Sequence, residues 1–237
     1  MGRNLTALGS AIAMFGEHAR RGLRALVLLA EHSMDDQAGP VARGIVDAAI
    51  AVAYLRVPTV RRVGKKEIPL SADQKLQLFW SFKAIAEYYS KKQDDPNRPE
   101  SAEFKHAVKT RVDLGILPPG RRPSRYWSGV DPWAMYQELK VAYEAAGQPD
   151  PMGAFRRVFE DLSFYAHPNP NDGAYFIIEH RTGGEVSLLL RDNHQNTPLY
   201  GATAAAALLT LGRWAEQLGE DPTATVTALN RRLHPTQ

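Results

Sequence analysis

Arg156, Glu160, Ser163 and His167 stand at spacings of i, i+4, i+7 and i+11. On a helix opened by Asp150–Pro151 all four lie on one face. Arg156 and Glu160 can pair, and Ser163 reaches the imidazole of His167 one turn later. A cation, an acid, a hydroxyl and an imidazole in one row are groups that could clamp a phosphate and move a proton. Pro168 disfavours helical geometry before it, so His167 ends the helix, where the dipole favours its charged form. The plain alternative is a solvated helix edge whose last histidine satisfies the final carbonyls. Phe155, Val158, Phe159, Leu162 and Ala166 form the apolar stripe that would bury the helix beside that row.

A second stripe lies on "VARGIVDAAIAVAYLR", residues 41–56. This segment is apolar almost all round, which predicts a central helix. Its polar interior residues, Arg43, Asp47 and Tyr54, share one narrow line. A charge pair on such a helix is either a structural ion pair or the wall of a polar pocket. The expected pocket brings Arg43 and Asp47 to Ser163 and His167. Arg43, Asp47 and His167 are its candidate catalytic groups; Arg156, Glu160, Ser163, Tyr54 and Trp127 are its candidate ligand contacts.

The bulk of the chain limits the alternatives. With 237 residues, 44% hydrophobic and 23% charged, it can close a core without disulfide or metal. It has no cysteine, which excludes thiol catalysis, iron–sulfur clusters and cysteine-bearing zinc sites. There is no G-x-G-x-x-G, P-loop, H-E-x-x-H or G-x-S-x-G, so the usual dinucleotide enzymes, P-loop ATPases, zincins and serine hydrolases are disfavoured. His167, Asp172, His180, Asp192 and His194 lack compact ligand spacing and read as polar loop residues; no metal and no cofactor is expected. The formal charge is +3, and its basic pairs, such as Arg61–Arg62 and Arg121–Arg122, are interleaved with acids. That reads as a mixed solvated surface. The N-terminus lacks the order of a signal peptide, and its best apolar run, Ala25–Ala30, is too short to span a bilayer. A cytoplasmic location with no membrane contact is expected.

The elements that would position these residues are mainly helical. Residues 4–32 predict one helix, or two kinked near Gly16 or Gly22. After a break at "SMDDQAGP" comes the helix 41–56, then a basic loop over 57–70 with two prolines. Ser71 is a good N-cap for a helix to about Gln93. Further helices are predicted over about 100–114, from Asp131–Pro132 to about Ala146, and from Pro151 to about His167. The proline-rich stretch 115–132 reads as a long loop wrapping a bundle. Trp127, Trp133 and Tyr136 read as anchors of that loop. "AYFIIEH" and "EVSLLLR" predict a hairpin over about 174–191. A helix over 198–218, whose "GATAAAALLTLG" would let a neighbour approach closely, and a short one to Leu233 complete the chain.

"ARGIVDAAIAVAYL", "YWSG" at 126–129 and "FEDLSFYAHPNP" together resemble a bacterial family of unknown function. Its members carry an Arg-rich apolar helix, a Tyr/Trp-Ser-Gly stretch and an aromatic-x-x-Leu-Ser-x-x-x-His signature. The matching positions are Arg43 and Asp47, Trp127, Ser128 and Gly129, then Phe159, Leu162, Ser163 and His167. Asp47 stands where glutamate is more usual. The resemblance covers about residues 40–170 and implies a helical fold without supplying an activity. More distantly the chain is similar to HEPN domains, helical bundles that are often ribonucleases of defence and toxin systems. It departs from them in having no Arg–His pair at their spacing.

The expectation is a mainly α protein, a single helical bundle of about seven or eight helices with one late hairpin. The expected function is a nucleotide or nucleic-acid binding module, with RNA or a nucleotide as ligand. A metal-independent HEPN-type ribonuclease and a non-catalytic scaffold that self-associates are the alternatives.

Overall fold

The structure, a computed structural model, describes residues 5–32, 34–150, 153, 176–180, 186–190 and 197–221. The protein is mainly helical, as predicted. In chain order the elements are α1 (Ala7–Glu31), α2 (Asp35–Arg56), β1 (Thr59–Val63), β2 (Lys66–Leu70), α3 (Ala72–Asp94), α4 (Ala102–Asp113), α5 (Pro132–Ala145), β3 (Phe176–His180), β4 (Val186–Leu190) and α6 (Thr197–Gln217). The predicted helices over 151–167 and 221–233 lie almost wholly outside the described residues. The chain divides into two compact units, Met1–Ala49 with Pro151–Gln237, and Ile50–Asp150.

In the first unit, α1 runs unbroken for 25 residues from a Thr6 cap. Neither glycine interrupts it. A Cβ on Gly16 would lie 2.6 Å from Trp214 Cε3, and one on Gly22 would lie 2.7 Å from Ile45 Cγ1. The glycines therefore let α6 and α2 come close, a packing role that their place in the sequence did not reveal. The small face of α6 answers: Thr203, Ala206, Ala207 and Thr210 are fully buried. β3 and β4 pair antiparallel, Phe176 opposite Leu190 and His180 opposite Val186, which is the predicted hairpin.

α2 starts at Asp35 rather than Val41, with Pro40 inside it. The proline removes one early amide from the helix ladder, a cost of about 3 kcal/mol that the apolar remainder offsets. Gln37–Arg56 is long and apolar enough to cross a membrane, with mean hydropathy 1.4. Two thirds of that window is buried within the protein (67%), so its apolarity serves a core. Ile45, Val46, Ile50, Val52 and Leu55 are each at most 2% exposed.

In the second unit, residues 57–70 fold as a hairpin, not as the predicted loop. β1 and β2 pair antiparallel from Thr59–Leu70 to Val63–Lys66. The two-residue turn places Gly64 at φ +63°, which suits a tight hairpin. The signal is hidden because the strand is inverted: Thr59 and Arg61 point inward and Val60 is exposed. Pro69 is tolerated because a two-stranded sheet is all edge. α3 opens on the predicted Ser71 cap, which forms a capping box with Gln74. α5 opens as predicted on Asp131, whose carboxylate accepts from Ala134 N at 2.8 Å. α3 and α4 pack through Ile85, Tyr88, Phe104 and Ala107. The proline-rich stretch lies wholly inside this unit, between α4 and α5.

Candidate functional site

The predicted Arg43–Asp47 pair is formed. Arg43 Nε donates to Asp47 Oδ1 at 2.8 Å, with side chains 15% and 32% exposed. Its expected partners, Ser163 and His167, lie outside the described residues, as do Arg156 and Glu160. Tyr54 shares the stripe in sequence but takes part in a different set of contacts. The division between the units falls at Ala49–Ile50, so Arg43 and Asp47 belong to the first and Tyr54 to the second.

Tyr54 is fully buried and sits in a polar network that closes the second unit. Its hydroxyl donates to Glu138 Oε2 at 2.5 Å and accepts from Arg61 Nη2 at 2.7 Å. Arg61 Nε donates to Glu138 Oε1 at 2.8 Å, and Thr59 Oγ1 donates to Oε2 at 3.2 Å. Arg61 Nη1 donates to the Ser128 carbonyl at 2.5 Å. An ion pair with so many of its donors and acceptors used offsets the cost of removing it from water. Burial pushes the Tyr54 hydroxyl far above the usual phenol range; it therefore stays protonated and serves as a relay of hydrogen bonds.

Two further cations are buried nearby in the chain's packing. Lys75 is fully buried and lies 3.8 Å from the centre of the Tyr54 ring. Its ammonium donates to the carbonyls of Tyr54 at 3.1 Å and Val57 at 2.5 Å, closing the end of α2. Burial lowers its pKa from 10.5 to about 7, with Glu138 opposing and Arg61 adding to the fall. Arg111 is 2% exposed and donates to Ser81 Oγ and to the carbonyls of Ala107, Leu78 and Trp127. All four acceptors are neutral. Its Nε is buried with no hydrogen-bond partner among the described residues.

"YWSG" is thus a receptacle for two buried arginines, through the main-chain carbonyls of Trp127 and Ser128. Gly129 has φ +92°, and a Cβ there would stand 3.1 Å from Arg61 Nη1, so both conformation and space call for glycine. Trp127 meets Tyr54 edge-on at 6.0 Å between ring centres and Phe79 at 5.4 Å. Of the candidate ligand contacts, Tyr54 and Trp127 are therefore brought together, as parts of a core. Trp133 and Tyr136 meet at a 41° tilt with ring centres 5.3 Å apart on α5, and Tyr136 is 4% exposed.

Among the described residues, two open grooves flank the packed α3–α4 pair. One groove of about 770 Å³ is lined by Tyr88, Tyr89 and Phe104 together with Lys92, Lys105, Lys109, Arg121 and Arg122, against one acid, Glu100. Lys92 donates to the Tyr88 hydroxyl at 2.8 Å, and Lys109 pairs with Asp113 at 2.6 Å. Lys105 and Arg121 have no side-chain hydrogen bond or ion pair among the described residues. A second groove of about 730 Å³ shares Tyr88 and is lined by Trp80, Lys83, Lys91, Arg98 and His106, with Glu87 and Glu103. Ser81, the acceptor of Arg111, is on its wall.

The mixed surface expected from sequence is therefore not evenly mixed. The second unit holds 17 of the 29 Lys and Arg but 12 of the 26 Asp and Glu, a net of +5, which leaves −2 for the first. Neither groove was expected from sequence, nor were Arg61, Lys75, Arg111 and Glu138. The available signals were an arginine at an inward strand position and a glutamate beside Leu139 on α5. Compared with protein-family models, with curated proteins and with solved structures, the chain finds no match.

Proposed function

We propose that the second unit is a nucleotide- or nucleic-acid-binding module and that its ligand lies on the α3–α4 face. The observation that carries this reading is the basic groove: five cations and three aromatic rings against one acid. Cations fix phosphates, and aromatic rings beside them offer a surface to bases. The expected Arg/Asp/Ser/His pocket is not needed for it. Binding of a fluorescent ATP analogue and of a labelled oligonucleotide, followed by anisotropy, tests the reading. Lys105→Glu with Arg121→Glu should weaken both by about tenfold or more and flatten their salt dependence. Unchanged affinity in that variant would place the ligand elsewhere.

A second reading, metal-independent phosphodiester cleavage, is favoured by one observation: Arg98 and His106 line the same groove. In that second groove Arg98 would hold the phosphate while His106 takes the proton of the ribose 2′-hydroxyl as its oxygen bonds to phosphorus; the bond to the 5′-oxygen breaks, that oxygen leaves with a proton from water, and a 2′,3′-cyclic phosphate remains. Cleavage of an RNA in the presence of a chelator, lost in His106→Ala, is the expected result; no cleavage by the unaltered protein ends this reading.

A further inference from the structure

We propose that the occupant is one extended nucleic-acid strand that lies in both grooves at once and stacks a base on Trp80. This rests on the reading above and names its ligand class. The two grooves share Tyr88, and both reach the turn between α3 and α4: Arg98 and Ser101 line one, Glu100 the other. A strand leaving the basic groove enters the second across that turn. At about 770 and 730 Å³, each groove alone is the size of a small-molecule site. A mononucleotide fills one and leaves the other without a role.

Two features of the second groove fit a polyanion with exposed bases. Arg111 is buried behind its wall with only neutral acceptors, so its charge has no carboxylate to offset it. A phosphate passing Ser81 would supply the missing negative charge. Trp80 is 42% exposed at the groove, beside Lys83 and packed edge-on to Phe79 at 5.1 Å. An exposed indole flanked by a cation is a stacking platform, and such platforms read single strands because a duplex hides its base faces. The strand is therefore single.

The test uses the whole chain and fluorescein-labelled oligothymidylates of about four and about twelve nucleotides, lengths that bracket short single-strand footprints. Trp80→Ala with Lys83→Glu and Lys91→Glu removes the second groove's platform and reverses two of its cations, leaving Arg98 in place, and changes no residue that lines only the basic groove. Lys83 is 83% exposed, so the fold does not depend on it. The long oligomer should lose about tenfold or more in affinity and the short one should change less than about twofold. If the long oligomer binds the variant as before, the strand does not use the second groove and this inference falls, while the binding module stands. A blunt duplex that binds more tightly than the strand overturns the inference in the same way. If neither oligomer binds the unaltered protein, this inference falls; the binding module falls with it only if the fluorescent ATP analogue does not bind either.

Discussion

In the first unit α1 meets α6 where Gly16 faces Trp214; in the second β1 and the end of α2 meet α5 where Arg61 and Tyr54 face Glu138. The first contact is made by leaving atoms out. Without a Cβ at residue 16, an indole ring fits against a helix backbone. The second is made by adding charge and then satisfying it through Thr59, Tyr54 and the Ser128 carbonyl. Steric closure tolerates any neighbour of the right volume, whereas a buried ion pair accepts one partner in one geometry. The second unit, with its net of +5, also presents the basic groove.

The sharpest way to break the contrast is Glu138→Ala. It leaves Arg61 buried without its carboxylate and should cost about 3–5 kcal/mol, read as a lowered urea midpoint with amide exchange rising first in β1 and α5. A loss below about 1 kcal/mol would mean that water replaces the carboxylate, and the second unit is then held as the first is. Gly16→Ala should cost about 1–3 kcal/mol, since its Cβ would meet a tryptophan ring rather than a flexible chain end. Thermal denaturation of that variant decides whether α6 can shift at no cost. The smallest effect at neutral pH belongs to Lys75→Met, and its signature is a slope. Lys75 holds its proton less readily folded than unfolded, so between about pH 7 and 10.5 the unfolded chain binds more protons. Stability should therefore rise with pH across that window, and the methionine variant should flatten the rise. An unchanged slope would show that the carbonyls of Tyr54 and Val57 hold the ammonium charged.

Sequence carried the features that act within a few residues. The Ser71 and Asp131 caps, the β3–β4 hairpin and the Arg43–Asp47 pair are all set by neighbours no more than a turn or a hairpin away. What it hid acts at a distance. Arg61 and Glu138 are 77 positions apart, and an inward arginine spoils the alternation that marks a strand. Gly16 and Gly22 read as kinks because the residues they accommodate, Trp214 and Ile45, come from other helices. The basic groove was invisible for the same reason: its cations come from α3, α4 and the proline-rich connection, and only folding sets them side by side.

The receptacle at residues 127–128 has a consequence for inheritance. Arg111 and Arg61 are received there by carbonyl oxygens of the main chain, which every amino acid carries. A single codon change can delete either donor, but none at 127 or 128 can delete an acceptor. Ser128→Ala would forfeit only the local bonds of its hydroxyl to the amide and carbonyl of Val130. Substitution there therefore acts on the arginines only through packing, at the fully buried Ser128 and at Trp127 against Tyr54 and Phe79, whereas Gly129, at φ +92° and with Arg61 Nη1 in the space of a Cβ, admits no side chain without strain.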